Sequence, residues 1–410
     1  MLINEIRNQF PTLQKRINGK KLIYFDNACS VLKPKPVIEA ILNYYQNLGA
    51  CAGGRSTHLL SQKVEELCEE AREKVKNFIG AKSSKEIIWT KNTTEGINLI
   101  ARTFPFKNSK NEVITTNLEH HSNLLPFFEE AKKGRIKLKI LNAKTDGSID
   151  LDKLEKLISS KTALISITHT SNVLGNTLPV GEMAKLAHKK NALILVDDAQ
   201  YIATHQEDVQ KSDIDFLVFS GHKIGGPTGI GALYGKEELL KKLNPFNVGG
   251  GTVERVWIEK SQLKAKYLPI PRKFEAGVQH YAGIIGLGAA VDFIQKIGYQ
   301  QISEQISFLR NYLLSKLLVI PQVEILGKPE SSIVSFKFKS REHFALDFNI
   351  YLNHNVKDYI IAIRCGHHCA MPIHQYFGVS HSLRASFFVY NTKEEINIFL
   401  KAFCKFLNKN

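Results

Sequence analysis

The amino-acid sequence predicts an α/β fold, in which a large and mostly parallel sheet is followed by a smaller α+β unit. Three observations predict it. Between residues 86 and 235 short apolar runs alternate with segments whose apolar residues recur at helical spacing, the pattern of strands joined by crossover helices. Residues 192–196 (Ala-Leu-Ile-Leu-Val) are continuously apolar, as a strand covered on both faces must be. Beyond about residue 260 the alternation gives way to longer helical patterns.

In chain order the expected strands are 86–90, 112–116, 136–141, 163–168, 192–197, 215–220 and 231–234, with helices at 123–133, 151–159 and 180–189. A long helix at 281–298 follows, rich in alanine and glycine where it starts, then a helix at 303–318, strands around 331–339 and a closing helix at 393–407. At 410 residues the chain is too long for one compact core. A large domain is expected over 18–262 and a small one over 263–410, with 1–17 packed against the small one.

Basic residues number 55 and acidic ones 39, a formal net charge of +16. The lysines are scattered and pairs such as Lys189-Lys190 read as solvated faces, so nucleic acid is not the expected partner. No apolar run reaches the roughly 18 residues of a membrane span, and the first residues lack a signal-like basic start. A cytoplasmic protein is expected, and there six cysteines read as thiols rather than disulfides. Cys68 and Cys404 fall on apolar helix stripes and read as core.

The residues with the most specific chemistry are Phe219-Ser-Gly-His-Lys223, a strand end followed by a glycine-rich turn. Burial near other cations lowers a lysine's pKa and frees its lone pair for an imine; a solvated loop lysine is the plainer alternative. Ser220 and His222 are placed to meet a phosphate, since glycines let the backbone approach closely. Val196-Asp197-Asp198-Ala199-Gln200 puts carboxylates just past a buried strand, on the edge where α/β sheets bind ligands. Imine lysine and carboxylate together point to pyridoxal 5'-phosphate (PLP), whose ring nitrogen needs an anionic partner to act as an electron sink. Asp197 is the candidate, and Gln200 would reach the cofactor's phenolic oxygen. Asn92-Thr93-Thr94-Glu95-Gly96 opens a helix and reads either as a phosphate cup or as an ordinary cap. Glu119-His120-His121-Ser122-Asn123 carries two histidines without further zinc-spaced ligands, so a ring stacked on the cofactor fits better, with His121 as the candidate. No metal is expected.

In order along the chain stand Tyr24-Phe-Asp-Asn-Ala28, Arg55-Ser-Thr-His58, Thr93-Thr-Glu-Gly96, Glu119-His-His-Ser-Asn123, His169-Thr-Ser-Asn-Val173, Val196-Asp-Asp-Ala-Gln200, Ser220-Gly-His-Lys223, Phe274-Glu-Ala-Gly277 and Arg364-Cys-Gly-His-His-Cys-Ala-Met371. This set resembles the class V, fold-type I PLP enzymes, and within them the cysteine desulfurases of the SufS type, which include selenocysteine lyases. The resemblance runs from Tyr24 to the last helix. It implies Lys223 as the imine lysine, His121 on the ring, Asp197 at its nitrogen and Gln200 at its phenolic oxygen. Thr93, Thr94, Ser220 and His222 would hold the phosphate. Asn172 and Arg384 would grip the substrate carboxylate, with Ala28 and Arg364 beside it. Cys369, near Arg364, His367 and His368, would be the thiolate that takes sulfur from L-cysteine. A homodimer is implied through 274–280 and through Arg55 and His58, which would approach a neighbour's active site as substrate-binding residues, and a sulfur-acceptor protein for iron–sulfur assembly or thiolation is implied as well.

Several positions depart from that pattern. Val278 stands where a threonine is expected, leaving Gln279 or His280 as substitutes, and Asp198 stands where a glycine is expected. Cys51-Ala-Gly-Gly54 replaces a valine–histidine pair. Cys29, Cys51, Cys365 and Cys369 together would be a thiol set for a metal or cluster, the alternative to bystander or sulfur-carrier roles. Other readings on the same scaffold are a selenocysteine lyase, a cysteine-sulfinate desulfinase, a tRNA-dependent sulfhydryl transferase and an inactive sulfur-relay protein.

Overall fold

A computed structural model describes residues 2–53, 56–339 and 344–408. The seven expected strands form one sheet, each within one residue of its sequence position. Across the sheet they run Ile87–Thr90, Gly231–Gly235, Phe216–Ser220, Leu193–Asp197, Thr162–Thr168, Glu112–Thr116 and Lys137–Leu141. Only Gly231–Gly235 is antiparallel to its neighbours. Period-two alternation sends Ile165, Ile167, Ile194, Val196, Leu217 and Phe219 into one core, and Leu164, Leu195, Phe216 and Val218 into another on the opposite face. Covering both faces is why these strands read as unbroken apolar runs.

Strand register lines up the chain positions that carry chemistry. Thr168 lies beside Asp197, Asp197 beside Val218, and both Ser220 and Thr90 beside Gly231. The segments that continue from these ends therefore meet at one edge of the sheet.

A second, four-stranded sheet runs Val323–Ile325, Ile333–Phe338, Ser382–Ser386, Arg364–Gly366, all antiparallel. Its core is aromatic, built on Phe336, Phe338, Phe348, Phe399 and Phe403. The N-terminal strand Lys20–Tyr24 pairs in parallel with Tyr359–Ala362, and Phe25 O then accepts from Ser386 N at 2.7 Å. That pairing carries Asp26 and Ala28 to the same edge as Lys223. Helix Tyr281–Ile297 ends at Gly298, whose φ of +84° only glycine adopts easily, and Tyr299–Leu317 starts immediately after it.

Two features differ from expectation. Val253–Glu259 and Gln262–Tyr267 form a hairpin whose residues are largely exposed on both sides, so no apolar face announced it. Cys404 is exposed, because the buried stripe of helix Lys393–Leu407 runs through Ile396, Phe399, Phe403 and Phe406 and passes it by. No helix among the described residues is long and apolar enough to cross a membrane.

One buried ion pair braces the edge of the large sheet. Arg72 meets Glu275 through two bonds of 2.8 and 3.1 Å, and Glu275 Oε1 also accepts from Trp89 N at 2.9 Å. Removing one partner leaves an uncompensated buried charge, which costs far more than the pair itself gains. Glu275→Ala is expected to lower stability by about 3–5 kcal/mol, whereas the apolar double replacement Arg72→Met with Glu275→Leu recovers most of it. Thermal unfolding of the three proteins checks this; equal losses in single and double variants would contradict it.

Candidate active site

The edge is drawn tight by Gly231. A Cβ there would stand 2.5 Å from Phe219 O and 3.0 Å from the Cα of Asn92, so glycine is what lets the three segments close up. As a result Ser220 Oγ accepts from Thr93 N at 2.9 Å and lies 2.8 Å from Thr93 Oγ1. Thr94 Oγ1 is 2.7 Å from Ser122 Oγ. Asn92 caps the eleven-residue helix Thr93–Thr103 by accepting from Glu95 N at 3.0 Å, so the capping reading holds and the helix N-terminus also opens on the cavity beside it.

That cavity, about 310 Å³, has Lys223 in its wall. The amine donates to Ala28 O, which also accepts from Gln200 Nε2 at 2.9 Å. Burial, then the charge of Arg384, lowers the Lys223 pKa to about 8. Asp197 is 4 % exposed; burial pushes its carboxyl up to about 6, against the pull of Ala199 N–H and Lys223. A second, half-buried cation, Lys33, was not singled out from the sequence. Burial and Lys223 lower it to about 8, and Leu32-Lys33-Pro34 carries no motif that would have marked it. His222 is driven down to about 4 by burial and these two lysines, so it is neutral at pH 7.

The structure separates the two histidines. His120, not His121, lines the cavity. As N-cap of helix His121–Lys132, His120 turns its Nδ1 to Ser122 N at 3.1 Å, while His121 one residue on accepts from Met371 N at 3.2 Å. His120, as N-cap, keeps a non-helical ψ of 146° while His121 is the first helical residue, so the two side chains leave the chain in different directions. Burial and Lys223 lower His120 to about 4. Below it Glu119 is fully buried and pushed to about 8 by burial, accepting from Thr116 Oγ1 and Asn123 Nδ2, each at 2.6 Å.

Arg384, Arg364 and Asn172 also line the cavity. Asp26 holds Arg364 bidentately (Nε–Oδ1 3.0 Å, Nη2–Oδ2 2.6 Å) and lies 3.6 Å from Arg384 Nη2. Sequence reasoning missed Asp26, although it stands inside Tyr24-Phe-Asp-Asn-Ala28 at a strand end. Arg384 donates to Asn172 O at 2.8 Å, and its buried Nε has no partner.

Cys369 is exposed and lines both the inner cavity and an outer pocket of about 770 Å³. His368 and Cys369 have φ of +53° and +55°, a conformation that side chains resist. Tethers hold it: His121 N donates to Cys369 O and Asn172 Nδ2 to His368 O, each at 2.7 Å. His368 does not supply charge to the thiol. Its Nε2 is 2.9 Å from Ser382 Oγ, and burial with Arg384 holds its pKa far below the usual range.

The four-thiol set does not assemble. Cys29 and Cys369 share the inner cavity, Cys365 lines only the outer pocket, and Cys51 stands near Tyr44 and Tyr281, elsewhere. His58 is exposed outside the cavity and caps helix Leu59–Phe78 through Ser61 N at 3.1 Å; Arg55 lies outside the described residues.

An amine, a buried carboxylate, a neutral ring and a hydroxyl-lined helix N-terminus suit a planar, phosphorylated aldehyde. Comparison with known proteins agrees with that donor set. Residues 23–399 match the aminotransferase class-V family. A cysteine desulfurase of Escherichia coli (strain K12 / DH10B) is 39% identical over 397 residues, 96% of each chain. The apo structure of a cysteine desulfurase from Thermococcus onnurineus NA1 is similar with a TM-score of 0.91 at 35% identity, covering 99% of this chain and 98% of that one. The cysteine desulfurase CsdA (S-sulfonic acid) of Escherichia coli gives 0.89 at 33%, covering 100% and 99%.

The lowered pKa makes a direct prediction. In cofactor-free protein, labelling of Lys223 by acetic anhydride is expected to rise with a midpoint near pH 8, well below 10.5, and Arg384→Gln is expected to move the midpoint up by removing a neighbouring cation. Peptide mass spectrometry across pH reads it; a midpoint near 10.5 would contradict the enclosed amine.

Proposed function

The chain belongs to the aminotransferase class-V family, and from that premise we propose that it is a PLP-dependent cysteine desulfurase acting through Lys223 and Cys369. It converts L-cysteine to L-alanine and receives the sulfur as a persulfide. One observation carries the reading: a lysine with a lowered pKa and an exposed thiol on a tethered loop wall the same cavity.

PLP, when bound, supplies a carbonyl for amine exchange and an electron-poor ring that stores an electron pair. Asp197 is the buried carboxylate for the ring nitrogen, and Gln200 serves the phenolic oxygen. His120, in place of His121, would lie against the ring, and its lowered pKa would keep a further positive charge away from it. Thr93, Thr94, Ser220 and His222 would hold the phosphate with the helix N-terminus. Arg384 and Asn172 take the substrate carboxylate; the unpartnered Nε of Arg384 supports this. Lys223, with its lowered pKa, would carry the α-proton. The Cys369 thiolate attacks the substrate sulfur, an S–S bond forms, the C–S bond breaks and the electron pair returns to carbon, where protonation gives alanine.

Cys369 opens outward as well as inward, and the outer pocket with Cys365, His367 and His381 is where an acceptor protein reaches the persulfide. The exposed His58 and Val278 support a homodimer, and six unpaired cysteines support a reducing cytoplasmic location.

Cys369→Ser is expected to keep the cofactor's absorbance yet lose sulfur release from cysteine by about 100-fold or more, whereas Lys223→Ala loses the protein-linked absorbance itself. Spectra taken with alanine quantified in the same tube test both; parental turnover in the serine variant would exclude Cys369 as acceptor. Arg384→Lys exchanges a planar fork for a point charge and is expected to raise KM for cysteine about tenfold with a smaller change in kcat. Steady-state kinetics check it, and an unchanged KM would place the carboxylate elsewhere.

A further inference from the structure

One residue past Asp197 lies a second buried carboxylate that the desulfurase reading does not use. Asp198 is 0 % exposed and forms a closed group with Glu207 (3 %) and His169 (5 %). His169 Nδ1 is 2.7 Å from Asp198 Oδ1 and 3.1 Å from Glu207 Oε2, and one ligand atom from each residue lies within 4.8 Å of the others. A ring nitrogen carries at most one hydrogen, so it satisfies only one of these oxygens. Glu207 Oε2 points into the group without a hydrogen-bond partner, and Asp198 Oδ2 is also buried and unpartnered. Glu207 is not loose: Oε1 accepts from Asp208 N at 2.8 Å and Ser212 Oγ at 3.2 Å. Tyr201 stacks on His169 with ring centroids 3.5 Å apart.

The charge balance of this group is unfavourable. With the imidazole protonated and both carboxylates ionised the group is net negative in a buried place, which is costly. A divalent cation with a neutral imidazole brings the sum to zero and occupies the unpartnered oxygen.

We propose that His169, Asp198 and Glu207 form a binding site for a zinc ion, held by one imidazole nitrogen and two carboxylate oxygens. Tetrahedral zinc with bonds of about 2.0–2.2 Å sets its donors roughly 3.3 Å apart, and Nδ1 already stands 2.7 and 3.1 Å from the two carboxylate oxygens. Glu207 also walls a surface pocket of about 560 Å³ that provides a way in. The three ligands follow strand Thr162–Thr168, follow strand Leu193–Asp197, and lie in the segment after it. Because His169 N already donates to Asp197 O at 2.9 Å, the ion ties together the chain behind Asp197 and takes no part in electron transfer.

The test uses the full chain carrying its cofactor, exposed to excess Zn2+ and then desalted. Elemental analysis is expected to give about one more equivalent of zinc in the parent than in Asp198→Asn or Glu207→Gln, with bound cofactor absorbance retained. Because thiols elsewhere also capture zinc, anomalous diffraction at the zinc edge locates the ion. A peak beside His169 Nδ1 supports the site. No peak there, or zinc content equal in parent and variants, overturns it and leaves a shared proton as the bridge. If the variants do not fold, the parent crystal alone decides.

Discussion

Lys223 is enclosed in surroundings that on balance work against its charge. Arg384 and Lys33 are cationic neighbours, burial removes solvent, and Asp197 and Asp26 offset this only in part. The amine therefore titrates near 8 instead of 10.5, and a substantial neutral fraction exists at ordinary pH. A nucleophilic amine needs that lone pair, so much of the site can be read as the means of making such an enclosure stable. Parallel strands ending together, glycine where Gly231 meets Phe219 O, and Ala28 O receiving the amine all serve it.

The second sheet supplies what the first cannot. Its strand Ser382–Ser386 delivers Arg384, and Arg364–Gly366 delivers Arg364 and leads into the Cys369 loop. Asp26, carried in by the N-terminal strand, pins Arg364 and approaches Arg384, so parts of the chain more than 330 residues apart converge on one carboxylate. The loop's two consecutive positive φ values are sustained by bonds from His121 and Asn172, which gives those residues a positioning role. A thiol that faces inward and outward at once is suited to collecting a group on one side and presenting it on the other.

Asp198 and Glu207 show how a fold tolerates charge in its interior. Each costs stability unless paired, and His169 Nδ1 lies close to both with at most one hydrogen to share between them. Their place, directly behind the carboxylate that the cavity relies on, makes the backbone around Asp197 sensitive to whatever balances them.

Much of this was legible in the sequence, because strand and helix periods are local and both-face burial writes itself as unbroken apolar runs. Lys223, Asp197, Ser220 and Thr93 could be named since each ends or follows such a run. The hairpin Val253–Tyr267 could not, having no buried face to impose a pattern. The separation of His120 from His121 follows from where the helix starts, which neighbouring letters do not encode. Asp26, Lys33 and the His169–Asp198–Glu207 group arise from contacts between distant segments, as does the scattering of the four thiols. Sequence by itself determined which elements form and which chemistry their ends carry. Only tertiary packing decided which side chains share a cavity, because that depends on distances that no period along the chain records.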